Sequence, residues 1–312
     1  MWESLRHQLK YPETVFVQDR DTDALDRVTL QWLDRFGVIR DTADQRTLLR
    51  IQPGKLAAYA FGYTDAARVQ LCSDLIAWLF AFDDRFADGL CRFDPEALAR
   101  KHREYDPVLD LEAIVVDEPF AASLQELYGR FLEHAPARWL RRLSASIRRY
   151  FRGCELETGF RDSGKTPTLE QYLGYRHGSI GVYPMLDLIE LAQQAILPDA
   201  LATSHLVEEG RRLSNLTLAV TNDLFSSRKE SLEDESFNTV MVVARAEGLD
   251  FDAALARGVQ VHDQLLQSYL DLEKRLLADA TPALKKLLEG IHVWFDGNRR
   301  WSSECPRYNH PG

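Results

Sequence analysis

Three acidic residues follow a strongly apolar run in the stretch FAFDDRFADG, residues 80–89. Asp83 continues the apolar stripe of the helix before it, because it stands four positions after Leu79 and seven after Ile76. Its carboxylate therefore points to the interior at a helix C-terminus, where the macrodipole disfavours an anion by about 0.3–1 kcal/mol. A hard cation such as Mg²⁺, which binds carboxylate oxygens, would offset this cost. The alternative is a solvated helix end in which Arg85 neutralises the acids.

A second group of oxygen-bearing side chains occurs in NDLFSSRKE. Asn222, Ser226 and Glu230, here called the Asn/Ser/Glu row, are spaced four and four, which places them on one helical face. An amide oxygen, a hydroxyl and a carboxylate together suit one hard divalent cation. Lys229 supplies positive charge beside the row, as a bound diphosphate would require. The alternative is an exposed polar helix end, although the preceding stretch LSNLTLAVTN is apolar and helical.

The C-terminal stretch WFDGNRRWSSECPRYNH combines aromatic and cationic side chains. Arg307 and Tyr308 pair a planar guanidinium with a phenol, and both groups suit phosphate oxygens. Trp294 and Trp301 offer aromatic faces that can stabilise a cation. The alternative is a polar aromatic tail that only docks on the domain.

These groups belong to a chain in which helical periodicity dominates and alternating strand patterns are almost missing. The pattern predicts an all-α protein. The predicted helices span residues 22–36, 64–83, 117–134, 136–160, 168–176, 180–195, 200–224, 235–247, 250–278 and 281–295. No linker, internal repeat or low-complexity tract interrupts them. We therefore expect a single domain over residues 1–312, with an N-terminal segment 1–20 and a C-terminal segment 296–312.

One helical pattern is interrupted in RHGSIGVYP, residues 176–184. Gly178, Gly181 and Pro184 predict a break flanked by two half-helices. Such a break frees backbone carbonyls for other contacts. The alternative is a plain turn between two helices.

The composition excludes several classes of protein. The 38 Lys and Arg against 48 Asp and Glu give a formal net charge of −10, so a nucleic-acid-binding surface is not expected. No apolar run approaches the roughly 18 to 20 residues of a membrane span. The N-terminus, MWESLRHQLKYPET, lacks the apolar core of a signal peptide. The four cysteines are far apart and the eight histidines are scattered, so we expect reduced thiols in a cytoplasmic protein and no zinc site.

Taken together, these motifs resemble the bacterial class I terpene synthases. The aspartate-rich segment, the Asn/Ser/Glu row and the closing Arg-Tyr pair occur in the family's order, over about residues 25 to 308. The resemblance implies a class I terpenoid synthase-like helical bundle around a deep apolar pocket, with the two metal motifs facing each other across its mouth. It also allows a homodimer.

The resemblance assigns roles to the interrupted helix. Arg176 stands 46 positions before Asn222 and matches the family's pyrophosphate-sensing arginine. The family's linker residue and effector carbonyl would then fall on Ser179 and Ile180.

The resemblance also implies three Mg²⁺ ions, two on Asp83 and one on the Asn/Ser/Glu row. This chain departs from the family at position 87, where Ala87 stands and the third acid follows at Asp88. The segment is thus a DDxxxD form, in which Asp88 is a candidate metal ligand. The family's second aspartate often contacts a basic residue, and this role would fall on Asp84.

The implied reaction begins with loss of diphosphate from a linear isoprenyl diphosphate, which leaves an allylic carbocation in a dry pocket. The diphosphate would be bound by Arg176, Lys229, Arg307 and Tyr308. The candidate pocket walls are Leu75, Leu79, Phe80 and Trp301, with Phe61, Trp78, Phe82 and Trp294 as further aromatic candidates.

Farnesyl diphosphate is the expected substrate because bacterial relatives use it most often, and geranylgeranyl diphosphate, which would make the chain a diterpene synthase, is the alternative. A prenyl diphosphate synthase would need a second aspartate-rich motif in place of the Asn/Ser/Glu row. A non-catalytic helical binding protein would leave the carboxylates as solvated surface. Product skeleton, capture of water and oligomeric state are left open by the sequence.

Overall fold

A computed structural model describes residues 2–14, 20–112, 117–232 and 237–308. These parts of the chain contain helices and no β-strand, which confirms the all-α prediction. The helices are α1 (Trp2–Gln8), α2 (Thr22–Arg35), α3 (Thr42–Ile51), α4 (Pro53–Phe61), α5 (Ala66–Phe82), α6 (Pro95–Arg103), α7 (Asp106–Leu109), α8 (Pro119–Leu132), α9 (Ala137–Ser163), α10 (Leu169–Ser179), α11 (Val182–Ala192), α12 (Asp199–Ala202), α13 (His205–Leu232), α14 (Thr239–Glu247), α15 (Phe251–Ala278) and α16 (Pro282–Glu304). A π-helix, Asp83–Leu90, directly follows α5. None of the described helices has both the length and the apolar character of a membrane span.

The helix α13 packs against six others, namely α10, α11, α12, α14, α15 and α16. The helix α16 also lies along α4, and α9 packs against α10 and α11. One cluster of buried apolar side chains connects these helices, from Leu5 in α1 to Tyr308 near the C-terminus. Burying a large apolar side chain contributes about 1.5–3 kcal/mol. The apolar stripes of the helices therefore hold the bundle together.

The helices begin at ordinary sequence signals. The side chain of Asp65 accepts a hydrogen bond from the N–H of Arg68 and caps α5. Thr168 and Gln171 form a capping box at the start of α10. These caps fix where α5 and α10 start.

The break predicted in residues 176–184 is present between α10 and α11. Gly181 has φ +71°, a left-handed conformation that is strained for other residues, and it starts α11. A Cβ at Gly153 of α9 would lie 2.2 Å from the backbone nitrogen of Ser179, so α9 and α10 touch backbone to backbone. This contact fixes the end of α10 against α9.

A buried carboxyl joins α2 to α4. The Oδ1 of Asp26 accepts a hydrogen bond of 2.6 Å from the N–H of Gly54. Burial raises the pKa of Asp26 to about 6.

Most predicted helices are found with shifted ends, and four continue beyond their predicted C-terminal ends, two of them by three residues and two by eight or nine. The helix predicted at 200–224 continues to Leu232, and the one predicted at 281–295 continues to Glu304. The C-terminal segment predicted at 296–312 is therefore mostly helix, and its residues 309–312 lie outside the described residues, as do the first residues of predicted helix 235–247. Both extensions carry polar side chains toward a cavity, so the apolar periodicity stops before the helix does. The helices α1, α3, α4, α6 and α7 were not predicted, and the helix predicted at 200–224 is divided into α12 and α13 at residues 203–204.

Candidate active site

A cavity of about 200 Å³ is lined by residues of α4, α5, the π-helix, α9, α10, α11, α13, α16 and the C-terminal segment. Its charged and amide-bearing lining residues are Asp83, Asp88, Arg92, Glu157, Arg161, Arg176, Asn222, Lys229, Glu230, Asn298 and Arg307. Its large apolar lining residues are Leu56, Ile76, Leu79, Phe80, Ile180, Val182, Met185, Leu218, Phe237, Trp294 and Trp301. Such a cavity suits a ligand that has an anionic group on an apolar chain.

The π-helix explains the unusual spacing of the three acids. Its wider turn places residues five apart on the same side, whereas an α-helix does so for residues four apart. Asp83 and Asp88 are five apart and both line the cavity. Carboxylate oxygens of Asp83, Asp84 and Asp88 lie within 4.8 Å of one another. Hard oxygen donors at this spacing fit a divalent cation such as Mg²⁺.

The acids of this cluster are held by contacts from α9. The hydroxyl of Tyr150 donates a 2.7 Å hydrogen bond to Oδ1 of Asp83, and Arg161 forms a 3.1 Å ion pair with Asp88. Burial, and then the charges of Asp88 and Asp84, raise the pKa of Asp83 to about 8. A carboxyl with this preference for its neutral form needs an added positive charge to ionise, which a cation at the cluster would provide.

Arg85 does not neutralise the cluster, contrary to the sequence-based alternative. Its Nη2 lies 2.8 Å from Oδ2 of Asp44 and donates to the carbonyl of Val38 at 2.6 Å. The partners of the acids come from distant segments instead, and sequence spacing alone gives no sign of them.

The Asn/Ser/Glu row lies on α13, with Asn222 and Glu230 on the cavity wall. Ser226 is buried behind them and is not among the lining residues. The amide of Asn238 donates hydrogen bonds to the Oγ of Ser226 at 3.2 Å and to Oε2 of Glu230 at 2.7 Å, and so connects the two. Burial, and then the charge of Asp223, raise the pKa of Glu230 to about 7. The row offers an amide oxygen, a hydroxyl and a carboxylate, all of them hard oxygen donors, whereas the aspartate cluster offers carboxylates.

Asp223 anchors the candidate sensor arginine. Arg176 donates to Oδ1 of Asp223 at 2.8 Å and 3.2 Å, and to the amide oxygen of Asn222 at 3.1 Å. The other carboxylate oxygen of Asp223 accepts from the hydroxyl of Tyr172 and from both the N–H and the hydroxyl of Thr239. Burial alone would lower the pKa of Arg176, but the charge of Asp223 raises it on balance. The guanidinium is therefore held charged at the cavity wall.

The helix break brings Ser179 and Ile180 to the cavity. The hydroxyl of Ser179 donates to Oε2 of Glu157 on α9, which also lies 3.8 Å from Arg176. Ile180 stands between α10 and α11, and Pro184, which has no amide hydrogen, cannot donate to its carbonyl.

The C-terminal segment connects both oxygen-rich groups. Arg307 donates to the two carboxylate oxygens of Asp84 at 3.0 Å and 2.8 Å, a bidentate pair. The hydroxyl of Tyr308 accepts a 2.8 Å hydrogen bond from the amide of Asn222. Burial alone would lower the pKa of Arg307, but Asp84 raises it on balance. The tail is thus part of the site wall.

The apolar wall agrees with the sequence-based expectation at most positions. Leu79, Phe80, Trp294 and Trp301 line the cavity. Leu75, which was expected there, is fully buried in the core and does not line the cavity. Leu75 lies about 100° around α5 from Ile76, and Ile76 is at the centre of the stripe that lines the cavity. Phe61, Trp78 and Phe82 are also core residues, since Phe61 stacks on Trp294 at 5.4 Å and Trp78 stacks on Phe82 at 5.1 Å.

Several cavity residues were missed by sequence reasoning. Tyr150, Cys154, Glu157 and Arg161 lie at i, i+4, i+7 and i+11 on one face of α9. Polar and charged side chains on the buried stripe of an otherwise apolar helix face were a usable signal for them. Asn298 carries the same signal on α16, between Trp294 and Trp301.

The chain matches known proteins over most of its length. Residues 74–268 match the family model described as terpene synthase family 2, C-terminal metal binding. The chain is 31% identical to the 10-epi-cubebol synthase of Sorangium cellulosum, over 90% of this chain and 91% of that protein. It is 30% identical to a (+)-T-muurolol synthase, (2E,6E)-farnesyl diphosphate cyclizing, of Roseiflexus castenholzii, over 99% and 95%. The crystal structure of 2-methylisoborneol synthase from Streptomyces coelicolor, in complex with Mg²⁺ and 2-fluoroneryl diphosphate, superposes with a TM-score of 0.85 at 19% identity, over 97% and 98%.

Proposed function

The chain belongs to terpene synthase family 2, and from this premise we propose that it cyclises farnesyl diphosphate to a sesquiterpene with release of diphosphate. Family membership makes it an enzyme that acts on a prenyl diphosphate and requires a divalent metal. The convergence of both oxygen-rich groups, Arg176 and the Arg307–Tyr308 pair on one cavity with apolar walls carries the proposal. The name of the Roseiflexus relative supports the choice of the farnesyl substrate.

We assign the metal to two sets of ligands. Asp83 and Asp88 form one, and Asn222, Ser226 and Glu230 form the other, with three Mg²⁺ ions in total. The cations neutralise the diphosphate so that it becomes a competent leaving group.

Four side chains bind the diphosphate in this proposal, namely Arg176, Lys229, Arg307 and Tyr308. All four line the cavity. Asp223 holds Arg176 and Asp84 holds Arg307 in fixed orientations, so the guanidinium groups are positioned before the substrate arrives.

The apolar part of the cavity wall encloses the carbocation in this proposal. Leu79, Phe80 and Trp301 exclude water and fold the apolar chain. We assign the catalytic roles at the diphosphate end of the cavity to Arg176, Ser179 and Ile180. Ser179 transmits the position of Arg176 through Glu157, and the carbonyl of Ile180 stabilises positive charge on the substrate.

Three broader features also stay proposals. A single domain is supported by the continuous buried cluster from Leu5 to Tyr308. A cytoplasmic location is supported by four cysteines that are all unpaired. A homodimer is proposed only from the resemblance to the family.

The test is incubation of the purified chain with geranyl, farnesyl or geranylgeranyl diphosphate and Mg²⁺, with measurement of released diphosphate and analysis of products. We expect farnesyl diphosphate to be turned over fastest. Asp83→Asn and Glu230→Gln should each reduce turnover by about 10²-fold or more, because each removes a charge that binds the metal. Asp271→Asn, an exposed aspartate on α15, is the control. Turnover of the geranylgeranyl substrate alone would refute the substrate assignment, and unimpaired variants would refute the metal assignment.

A further inference from the structure

The N-terminal segment places one aromatic side chain inside the bundle. Tyr11 follows the end of α1, and its ring is stacked on Phe295 of α16, with 4.9 Å between the ring centroids and 11° between the planes. The ring of His262 on α15 lies at 5.2 Å in an edge-on arrangement. Burial raises the pKa of Tyr11, so the phenol keeps its proton. A buried tyrosine hydroxyl needs hydrogen-bond partners.

The partners of the Tyr11 hydroxyl lie on two other helices. It is hydrogen-bonded to the hydroxyl of Thr221 on α13. Because the hydroxyl of Thr221 itself donates to the carbonyl of Thr217 at 2.9 Å, Tyr11 is the donor in the bond between the two hydroxyls. The Nε2 of His262 lies 2.9 Å from the same oxygen of Tyr11. Thr221 and His262 are fully buried, so loss of the Tyr11 hydroxyl would leave polar atoms without this partner inside the protein.

This contact is adjacent to the Asn/Ser/Glu row. Thr221 directly precedes Asn222, whose amide donates to the hydroxyl of Tyr308 at 2.8 Å. Successive residues of an α-helix point about 100° apart, so the two side chains leave α13 in different directions. Tyrosines from opposite ends of the chain thus bind two consecutive residues of α13. Together they restrain the rotation of this helix about its axis.

The N-terminal segment is itself fixed on α16. Arg299 donates to the carbonyl of Leu9 at 2.6 Å and to that of Arg6 at 3.4 Å. Asp296, on the same helix, forms an ion pair with Arg299. Leu9 is fully buried. Tyr11 therefore reaches α13 from a segment that is held in place.

The orientation of α13 matters because the groups of a metal site must be held within about 0.5 Å of the productive geometry. A side-chain oxygen on α13 lies about 5 Å from the helix axis, so a rotation of about 10° moves it by about 0.9 Å. Such a rotation would leave the bundle folded and still misplace the ligands of the row.

We propose that Tyr11 is a positioning residue for the Asn/Ser/Glu row: its hydrogen bond to Thr221 fixes the orientation of α13 in which the three side chains of the row bind one cation. The inference rests on the proposed function. The family model begins at residue 74, so this contact comes from a part of the chain that the model does not cover.

Two variants remove the hydrogen bond from either side. Tyr11→Phe keeps the stacked ring and loses only the hydroxyl, and Thr221→Val replaces the acceptor by a side chain of similar shape. Binding of Mg²⁺ in the presence of inorganic diphosphate is measured by isothermal titration calorimetry, and turnover of farnesyl diphosphate is measured as a function of Mg²⁺ concentration. The half-saturating Mg²⁺ concentration should rise about three- to tenfold in each variant, the factor that one hydrogen bond contributes. The double variant should bind Mg²⁺ no more weakly than the single ones, because both substitutions remove the same interaction.

A matched control separates positioning from stability. The hydroxyl of Tyr128 on α8 is hydrogen-bonded to the hydroxyl of Ser144 on α9 at 3.0 Å, and neither residue lines the cavity. Tyr128→Phe therefore removes an equivalent buried bond away from the row. It should lower the thermal unfolding midpoint about as much as Tyr11→Phe does, but leave the half-saturating Mg²⁺ concentration and the calorimetric affinity unchanged. A purely structural role of Tyr11 would make the two variants alike in all three measurements.

The outcomes separate the inference from the proposed function. No diphosphate release by the wild-type chain from geranyl, farnesyl or geranylgeranyl diphosphate overturns the proposed function. An active wild-type chain and a Tyr11→Phe variant with the same Mg²⁺ dependence overturn the positioning role alone, as does an equal change in Tyr128→Phe. Thermal unfolding establishes that each variant is folded, and Thr221→Val decides the question if Tyr11→Phe is not.

Discussion

The contact between α9 and α10 provides a sharp test of how the site is held. A Cβ placed on Gly153 would lie 2.2 Å from the nitrogen of Ser179 and 2.4 Å from the carbonyl carbon of Gly178. Neither neighbour can rotate away, because both atoms belong to the backbone. Gly153→Ala therefore has to push the end of α10 away from α9.

The expected cost can be worked out from two opposing terms. Forcing a methyl group into a packed contact costs about 1–3 kcal/mol, occasionally more, whereas replacing a helical glycine by alanine gains about 0.5–1 kcal/mol. A contact of 2.2 Å with a backbone atom calls for the upper end of the cost, about 3 kcal/mol, so after the gain is subtracted we expect Gly153→Ala to lower the free energy of unfolding by about 2 kcal/mol. Gly159 lies on the same helix, and a Cβ there meets no atom within 4 Å. Gly159→Ala should therefore be slightly stabilising, by about 0.5–1 kcal/mol.

The assay is urea denaturation of both variants and the wild-type chain, followed by circular dichroism. Gly153→Ala should also reduce diphosphate release by about 10²-fold, since a displacement near 1 Å of the reacting geometry has that effect. Equal stability and equal turnover of the two alanine variants would refute the backbone contact as a determinant of the site.

Three further predictions concern buried or paired carboxylates. Burial raises the pKa of Asp26 to about 6, so its contribution to stability is complete below about pH 4 and is lost as the pH rises through 6. The free energy of unfolding of the wild-type chain, compared with that of Asp26→Asn, should therefore fall by about 2 kcal/mol between pH 4 and 7. A difference that stays constant with pH would contradict this. Asp223→Asn should lower the free energy of unfolding by about 3 kcal/mol, because the buried ion pair with Arg176 loses its anion. Asp271→Asn on the surface should leave the urea denaturation curve unchanged. Equal denaturation midpoints for the two variants would disprove the stabilising role of the Asp223 pair. Asp84→Asn removes the bidentate partner of Arg307, so trypsin should cleave after Arg307 faster than in the wild-type chain, and an unchanged cleavage rate would argue against this pair as the anchor of the tail.

The spacing of residues along the chain was sufficient to predict which side chains share a face in part of the site. The Asn/Ser/Glu row follows from a period of four on a helix, and the inward direction of Asp83 follows from its place on the stripe of Leu79. Both depend only on neighbours within a few turns. The structure extends the helix of the row to Leu232 without changing this relation.

The spacing of the three acids could not be interpreted from neighbouring residues alone. An α-helix would place Ala87, not Asp88, beside Asp83, and the sequence offered no sign of a π-helix. The π-helix packs against α9, where Tyr150 and Arg161 contact two of the acids. That packing is a tertiary property.

The sequence by itself determined the helical class, the family resemblance and the side chains that share a face. Helix periodicity depends only on residues a few positions apart, so it can be recognised without the tertiary structure. Only the tertiary structure decided that Arg307 pairs with Asp84, that Tyr308 meets Asn222, and that the amide of Asn298 borders the cavity without a partner. The physical reason is that contacts between residues far apart in the chain depend on how whole helices pack, and that packing is a collective result of many buried side chains.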